Sequence, residues 1–289
     1  MNIVEMKAYA KVNLGLDVVR RLDNGYHEVK MIMQAVDIFD TITIQKADAG
    51  IALTADSTQV PCDENNLIYK AAALMKKTYQ IGEGVAIHLK KRIPVAAGMA
   101  GGSTDAAAVL KGMNQLFSLD LKKEELMTLG LTLGADVPYC IMGGTALACG
   151  IGERLTALPD IPKCYILVAK PDLAVSTKYV YENLNLSGIA THPDIDGMVH
   201  AISKGNMKGI VERMDNVLES VTETKYPVIT QIKKFMVNNG ALMALMSGSG
   251  PTVFGIYDSE KDARDAKMKL TVSNLAKQIF VTKPVFGEG

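Results

Sequence analysis

The chain has 289 residues, 48% of them apolar and 21% charged, with 31 basic and 31 acidic side chains. That length holds one large domain or two with ample core, in a composition ordinary for a soluble globular protein. Zero net charge gives no electrostatic case for nucleic acid or an anionic membrane, and no apolar run reaches membrane-spanning length.

The cysteines at 62, 140, 149 and 164 lack metal-ligand or redox spacing and read as reduced thiols, and the histidines show no ligand pairing. The first residues run directly into strand-like sequence without a signal or transit segment, so the expected location is cytoplasmic. From Ala8 to Val18 apolar residues occupy even positions, while Tyr9, Lys11, Asn13, Gly15 and Asp17 occupy odd ones. That alternation predicts a half-buried strand with one polar face. Asp23-Asn24-Gly25 is a hairpin turn, followed by strand-like sequence through Met33 and again over Thr41–Gln45. Asn66–Tyr79 reads as a helix, Val85–Leu89 as a strand, Lys122–Leu133 as a helix ended by Gly134, and Gly144–Cys149 as a strand.

Leu-Pro-Asp-Ile-Pro near residue 160 marks a domain seam, which divides the chain into 1–160 and 161–289. Beyond it come a strand at Tyr165–Ala169 and helices at Ser176–Leu184, Asn206–Met214 and Ile229–Asn238. Two strand segments follow around SGSGPT, then a helix at Lys261–Leu270 and a last strand at Gln278–Thr282. Strands and helices mix without a regular βαβ rhythm, which favours an α+β fold.

The stretch PVAAGMAGGSTDAAA, residues 94–108, places a glycine loop at the start of a helix, with Ser103 or Thr104 as N-cap and Asp105 at the positive end of the dipole. Such a loop suits phosphate, because unpaired N–H groups and the dipole both favour an anion. It also suits a tight turn before a small-residue helix packed closely on a sheet. Neither common phosphate fingerprint fits: Ala100 and Ser103 interrupt the dinucleotide pattern, and no Gly-Lys-Ser/Thr occurs in the chain. On the residues alone, both readings stay open.

Taken together, YAKVNLGLDV, DNGYHEV, NNLIYKAA, this loop, LTLGADVPYC and SGSGPT resemble the GHMP kinase superfamily, in its order and over essentially the whole chain. The pairing of AKVN with NGYH is similar to the branch that phosphorylates a cytidyl-linked methylerythritol in the non-mevalonate isoprenoid route. The resemblance implies a two-domain α+β fold, with a ribosomal-protein-S5-domain-2-like N-terminal domain and a ferredoxin-like C-terminal domain. It implies ATP as phosphoryl donor, Mg²⁺ delivered with the nucleotide, and a small-molecule cytidyl substrate, with no nucleic-acid or membrane partner. The oligomeric state is left open.

By the same resemblance Asp136 is the catalytic base and Lys11 its cationic companion. Gly98, Met99, Ala100, Gly101, Gly102, Ser103 and Thr104 cradle the ATP phosphates, with Asn66 and Lys90 as further nucleotide contacts. Asn13, Tyr26, His27, Thr177 and Tyr181 bind substrate, with Tyr179 competing for the stacking role of Tyr181. No residue is assigned to a protein metal site. The family loop runs Gly-Leu-Gly-Gly-Gly-Ser-Ser-Asp, so Met99, Ala100 and Thr104 depart from it. Of these, Ala100 matters if its backbone needs a positive φ. A kinase for another small alcohol and a catalytically silent sensor are the competing functions.

Overall fold

In the computed structural model, which describes residues 2–287, two long strands dominate the first part of the chain. β1 (Ile3–Arg21) and β2 (His27–Ala47) pair with each other about the Asp23-Asn24-Gly25 turn, where Gly25 has φ +84°. β2 is continuous, so the strand-like segments expected before Met33 and after Thr41 are one element. In chain order the remaining elements are β3 (Ile51–Ala55), α1 (Leu67–Thr78), β4 (Gly84–Lys90), α2 (Gly101–Leu116), α3 (Lys123–Leu131), α4 (Val137–Met142), β5 (Thr145–Gly150), β6 (Arg154–Ala157) and β7 (Tyr165–Lys170). They continue with α5 (Thr177–Glu182), α6 (Ile195–Ser203), α7 (Met207–Val211), α8 (Glu219–Lys225), α9 (Val228–Asn238), β8 (Met243–Met246), β9 (Val253–Tyr257), α10 (Glu260–Ser273) and β10 (Gln278–Thr282).

These elements form two compact units that interleave along the chain. The first takes the residues up to Ala10, Ile38–Val95 and Ala100–Met142; the second takes Lys11–Asp37, Ala96–Met99 and the chain from Gly143 onward. In the first unit the far end of β2 pairs antiparallel with β4, Thr41 opposite Lys90 and Ala47 opposite Gly84, and β4 pairs parallel with β3. Ile42, Ile44, Ile87 and Leu89 point into a core shared with Ile68 and Met75 of α1 and with Val109, Leu110 and Met113 of α2. α2 lies close on its sheet: a Cβ on Gly112 would stand 2.7 Å from Ile44 Cδ1. The small residues of α2 therefore serve packing, as one of the two sequence readings required.

In the second unit the near end of β2 pairs with β5 and β5 with β6, both antiparallel. A separate antiparallel sheet has the order β10-β7-β9-β8. With helices between β7 and β8 and α10 between β9 and β10, this is the βαββαβ arrangement of a ferredoxin-like fold. α9 and α10 pack on it, burying Ile229, Ile232, Met236, Ala263, Ala266 and Leu270. No helix among the described residues is long and apolar enough to cross a membrane, and all four cysteines are free thiols.

Candidate active site

Both faces of β1 are buried from Lys11 to Val18, which corrects the expectation of a solvated polar face. Residues distant in sequence cover it: Ile195 and Met198 lie against Gly15, and main-chain hydrogen bonds join Leu16 to Asp215 and Val217. Lys11 is 5% exposed, so its ammonium needs a partner. Its Nζ donates to Asn13 Oδ1 at 2.6 Å, and Asn13 Nδ2 donates to Met31 Sδ at 3.3 Å. The Lys11 N–H donates to the Met99 carbonyl at 3.2 Å, tying the strand to the end of the glycine loop.

The turn between β8 and β9 meets the same group. Ser247 Oγ donates to the Gly98 carbonyl at 2.9 Å, and Gly98, at φ +71°, sits so close that a Cβ would run into the Ser247 carbonyl. A Cβ on Gly248 would stand 3.5 Å from Asn13 Oδ1 and 3.6 Å from Lys11 Nζ. Thus Lys11, Asn13, Gly98 and Gly248 converge, and only glycine lets the two loops approach so closely. Thr177, at the start of α5, shares a 2.9 Å hydrogen bond with Ser249 Oγ.

Four residues on from Thr177, the Tyr181 ring lies 5.1 Å from His27, centroid to centroid, tilted by 34°. Burial first, and then Arg21, hold the His27 imidazole below its ordinary value. At neutral pH it therefore keeps one donor and one acceptor nitrogen, which suits the polar edge of a base. Tyr179 has a different partner: Lys225 Nζ stands 3.5 Å from its ring centroid, a cation–π contact. The geometry thus sets Tyr181, not Tyr179, beside His27. Tyr26 is 60% exposed, its N–H held by Asn24 Oδ1 at 3.0 Å.

In the first unit, α2 begins at Gly101 with Ala100 as its cap, which corrects the expected cap at Ser103 or Thr104. Ala100 has φ 57° and ψ 27°, the left-handed conformation that its Cβ disfavours. The first intrahelical bond runs from Thr104 N–H to the Ala100 carbonyl at 2.9 Å, so the N–H groups of Gly101, Gly102 and Ser103 have no helical acceptor. Such a turn offers hydrogen-bond donors to an anion. Thr104 is 2% exposed and its hydroxyl donates to the Tyr9 carbonyl at 2.8 Å, so that hydrogen serves the fold. Ser103 remains half-buried.

Beneath this turn lies a cluster whose pairing the sequence reading missed: Asp105, expected at the positive end of the helix, lies beyond its first turn, and Lys91 is buried rather than solvated at the strand end. Lys91 Nζ pairs with Asp40 at 2.5 Å and with Asp105 at 3.0 Å, and stands 3.1 Å from where a Gly101 Cβ would be. Asp40 also accepts the N–H groups of Arg92 and Ile93, the latter at 2.8 Å. Burial works to neutralise Lys91, but the two carboxylates outweigh it and hold its pKa above the ordinary value. Lys90, the expected nucleotide contact, is exposed at the end of β4. Asn66 caps α1: Oδ1 accepts Ile68 N–H at 2.9 Å and Nδ2 donates to the Pro61 carbonyl at 2.6 Å. Asp136, half-buried, directly precedes α4, and its carbonyl accepts Cys140 N–H at 3.0 Å.

Residues 66–144 match the family model for the GHMP kinases N terminal domain, and residues 198–274 match that for the GHMP kinases C terminal. The 4-diphosphocytidyl-2-C-methyl-D-erythritol kinase of Lachnoclostridium phytofermentans is 52% identical over 98% of each chain. That of Lachnospira eligens is 51% identical over 98% of this chain and 99% of its own. A crystal structure of 4-(cytidine 5'-diphospho)-2C-methyl-D-erythritol kinase superposes with a TM-score of 0.84 at 32% identity, over 99% of this chain and 100% of that one. Homoserine kinase from Cytophaga hutchinsonii shares the fold, at a TM-score of 0.81 and 22% identity over 100% of this chain and 96% of that one.

Proposed function

The chain belongs to the GHMP kinases, and from that membership we infer that it transfers the γ-phosphoryl group of ATP to the 2-hydroxyl of 4-diphosphocytidyl-2-C-methyl-D-erythritol. The product would feed the non-mevalonate route to isoprenoid precursors. The observation that carries this reading is the 52% identity over 98% of both chains with a kinase of that name. Its two domains would divide near residue 160, into 1–160 and 161–289, with the matched stretches 66–144 and 198–274 on either side.

Phosphoryl transfer depends on positioning and charge stabilisation, and the proposed roles rest partly on geometry already described and partly on the family motifs. The loop from Gly98 to Thr104 would hold the ATP phosphates, supported by the N–H groups that open α2. Lys11, kept in place by Asn13, would supply positive charge where the transferred group acquires negative charge. Asp136 would orient the hydroxyl and accept its proton, a role carried by its place in the LGADVPYC motif. His27 and Tyr181 would hold the cytosine, one reading its polar edge and the other covering its face, with Tyr26 and Thr177 alongside. Asn66 and Lys90 as nucleotide contacts rest on the resemblance alone.

Among the described residues, no group of three or more His, Cys, Asp or Glu side chains is placed to hold a metal ion. Mg²⁺ would arrive with the nucleotide and neutralise phosphate charge, an expectation that rests on the family resemblance.

Incubation with Mg-ATP and the cytidyl alcohol should give one new phosphomonoester by ³¹P NMR with stoichiometric ADP. ADP without that ester, or no turnover while ATP binds, would refute the assignment. Asp136→Asn should then lower kcat by about 10²–10⁴-fold with ATP binding retained, and unchanged turnover would remove Asp136 from the mechanism.

A further inference from the structure

The turn that meets Gly98 and Lys11 is itself held by one segment of the second unit. Main-chain bonds at 2.9 and 3.1 Å, from Leu16 N–H to the Asp215 carbonyl and from Val217 N–H to the Leu16 carbonyl, seat Asn216 beside β1. Asn216 is 1% exposed. Its Nδ2 donates to the carbonyls of both Met246 and Gly248 at 2.8 Å, and its Oδ1 accepts Leu218 N–H at 3.0 Å. A carboxamide has two donor hydrogens, so both are committed. One turn of chain later, Glu219 Oε1 accepts Met246 N–H at 2.7 Å while Oε2 pairs with Lys233. Thr222 Oγ1 lies 3.3 Å from the Ser249 carbonyl. Main-chain groups of Met246, Gly248 and Ser249 are thus gripped by side chains between Asn216 and Thr222, and Ser247 carries that constraint to the Gly98 carbonyl.

We propose that Asn216 is a positioning residue of the kinase: by holding the Met246 and Gly248 carbonyls it fixes the Ser247–Ser249 turn, and through Ser247 it fixes the Gly98 end of the phosphate loop. Affinity for ATP then depends on a side chain with almost no surface to offer a ligand. This rests on reading Gly98–Thr104 as the loop that holds the ATP phosphates. A group with a merely structural role would lower the melting temperature and leave the affinity of the folded protein unchanged.

A double-mutant cycle on ATP affinity, measured by calorimetry on the full chain where circular dichroism shows each variant folded, separates the two roles. Asn216→Ser should weaken ATP binding about tenfold, the scale of a lost buried hydrogen-bond pair. In a Ser247→Ala background, where the link to Gly98 is already cut, the same change should weaken it by less than about twofold. Unchanged affinity in the folded single variant overturns the proposal, and so does a full tenfold loss added to that of Ser247→Ala. Should Asn216→Ser fail to fold, Thr222→Val carries the same cycle: at similar volume it removes the hydroxyl whose hydrogen the Ser249 carbonyl, at 3.3 Å, shares with the Leu218 carbonyl, at 3.2 Å. It should weaken binding about threefold alone and not at all beside Ser247→Ala, with additive losses overturning the proposal. The readout needs no acceptor: failure to phosphorylate the cytidyl alcohol refutes the proposed function and leaves this cycle decisive. A wild-type chain that binds no ATP removes the premise and overturns the proposal with it.

Discussion

Replacing Asp105 with Asn tests the charged cluster beneath α2. Asp105 is 3% exposed; Oδ2 faces Lys91 Nζ at 3.0 Å, and Oδ1 has no hydrogen-bond partner among the described residues. Burial is the largest influence and pushes its carboxyl up to about 8, with Lys91 opposing the rise and Asp40 adding to it. An unfolded aspartate ionises near a pKa of about 3.9. Between those values the folded chain retains a proton that the unfolded chain has released. The group's contribution to stability is therefore intact below about pH 4 and declines as pH rises through about 8. Each pH unit in that window removes on the order of 1 kcal/mol, so the step from pH 5 to pH 7 removes roughly 2–3 kcal/mol. An amide does not titrate, and its oxygen can still accept from Lys91. Relative to the parent, the Asn variant should gain stability by about that amount between pH 5 and pH 7. Urea unfolding followed by circular dichroism at pH 5, 6 and 7 measures the difference. Stability curves that stay parallel across this range would show that Asp105 is already ionised when folded, and the reasoning would fail.

Two further outcomes follow from geometry at the loop and at the aromatic pair. Ala100→Gly relieves a left-handed alanine, worth about 1–2 kcal/mol, against about 0.5–1 kcal/mol for the added freedom of glycine when unfolded. A rise in melting temperature of about 1–3 °C is expected, and a fall would refute the strain. Tyr181→Ala should raise KM for the cytidyl alcohol by about tenfold and leave KM for ATP unchanged, as loss of a base-stacking surface does. Tyr179→Ala, which removes a ring already covered by Lys225, should change it by less than about twofold; the reverse pattern would exchange the two roles.

Local signals exposed most of the strands, though not β3 and β6, and the longer helices. Gln278–Thr282 was legible to the residue, because its ends coincide with changes in hydrophobic pattern. α4, α6 and α8 escaped, α8 because Glu219–Lys225 is short and mostly polar, so no apolar stripe announces it. The burial of both faces of β1 was invisible for another reason: what covers Asn13, Gly15 and Asp17 comes from late segments, and alternation reports only the pattern within a strand. Lys90 and Lys91 are neighbours of one type at the end of β4, where strand periodicity stops. Only the positions of Asp40 and Asp105 tell them apart. In the candidate site, motif letters named Lys11, Gly98 and Ser247. Asn216 carries no such letter, because its part is played through main-chain carbonyls that any residue would present.

The bridge between Leu16 and Asn216 bears on the order of events at the ribosome. β1 is made early, yet the segment that covers its inner half, from Ile195 to Val217, emerges only after β7 and α5, with α8 through β10 still to follow. Until then Asp17 lacks His192, its partner at 2.7 Å, and the inner half of β1 has no settled edge. Contacts of such long separation slow folding and leave unpaired strand for other chains to meet. A nascent chain stalled before residue 215 would thus present an open β1 edge, and chaperones should engage this protein during synthesis more than after release.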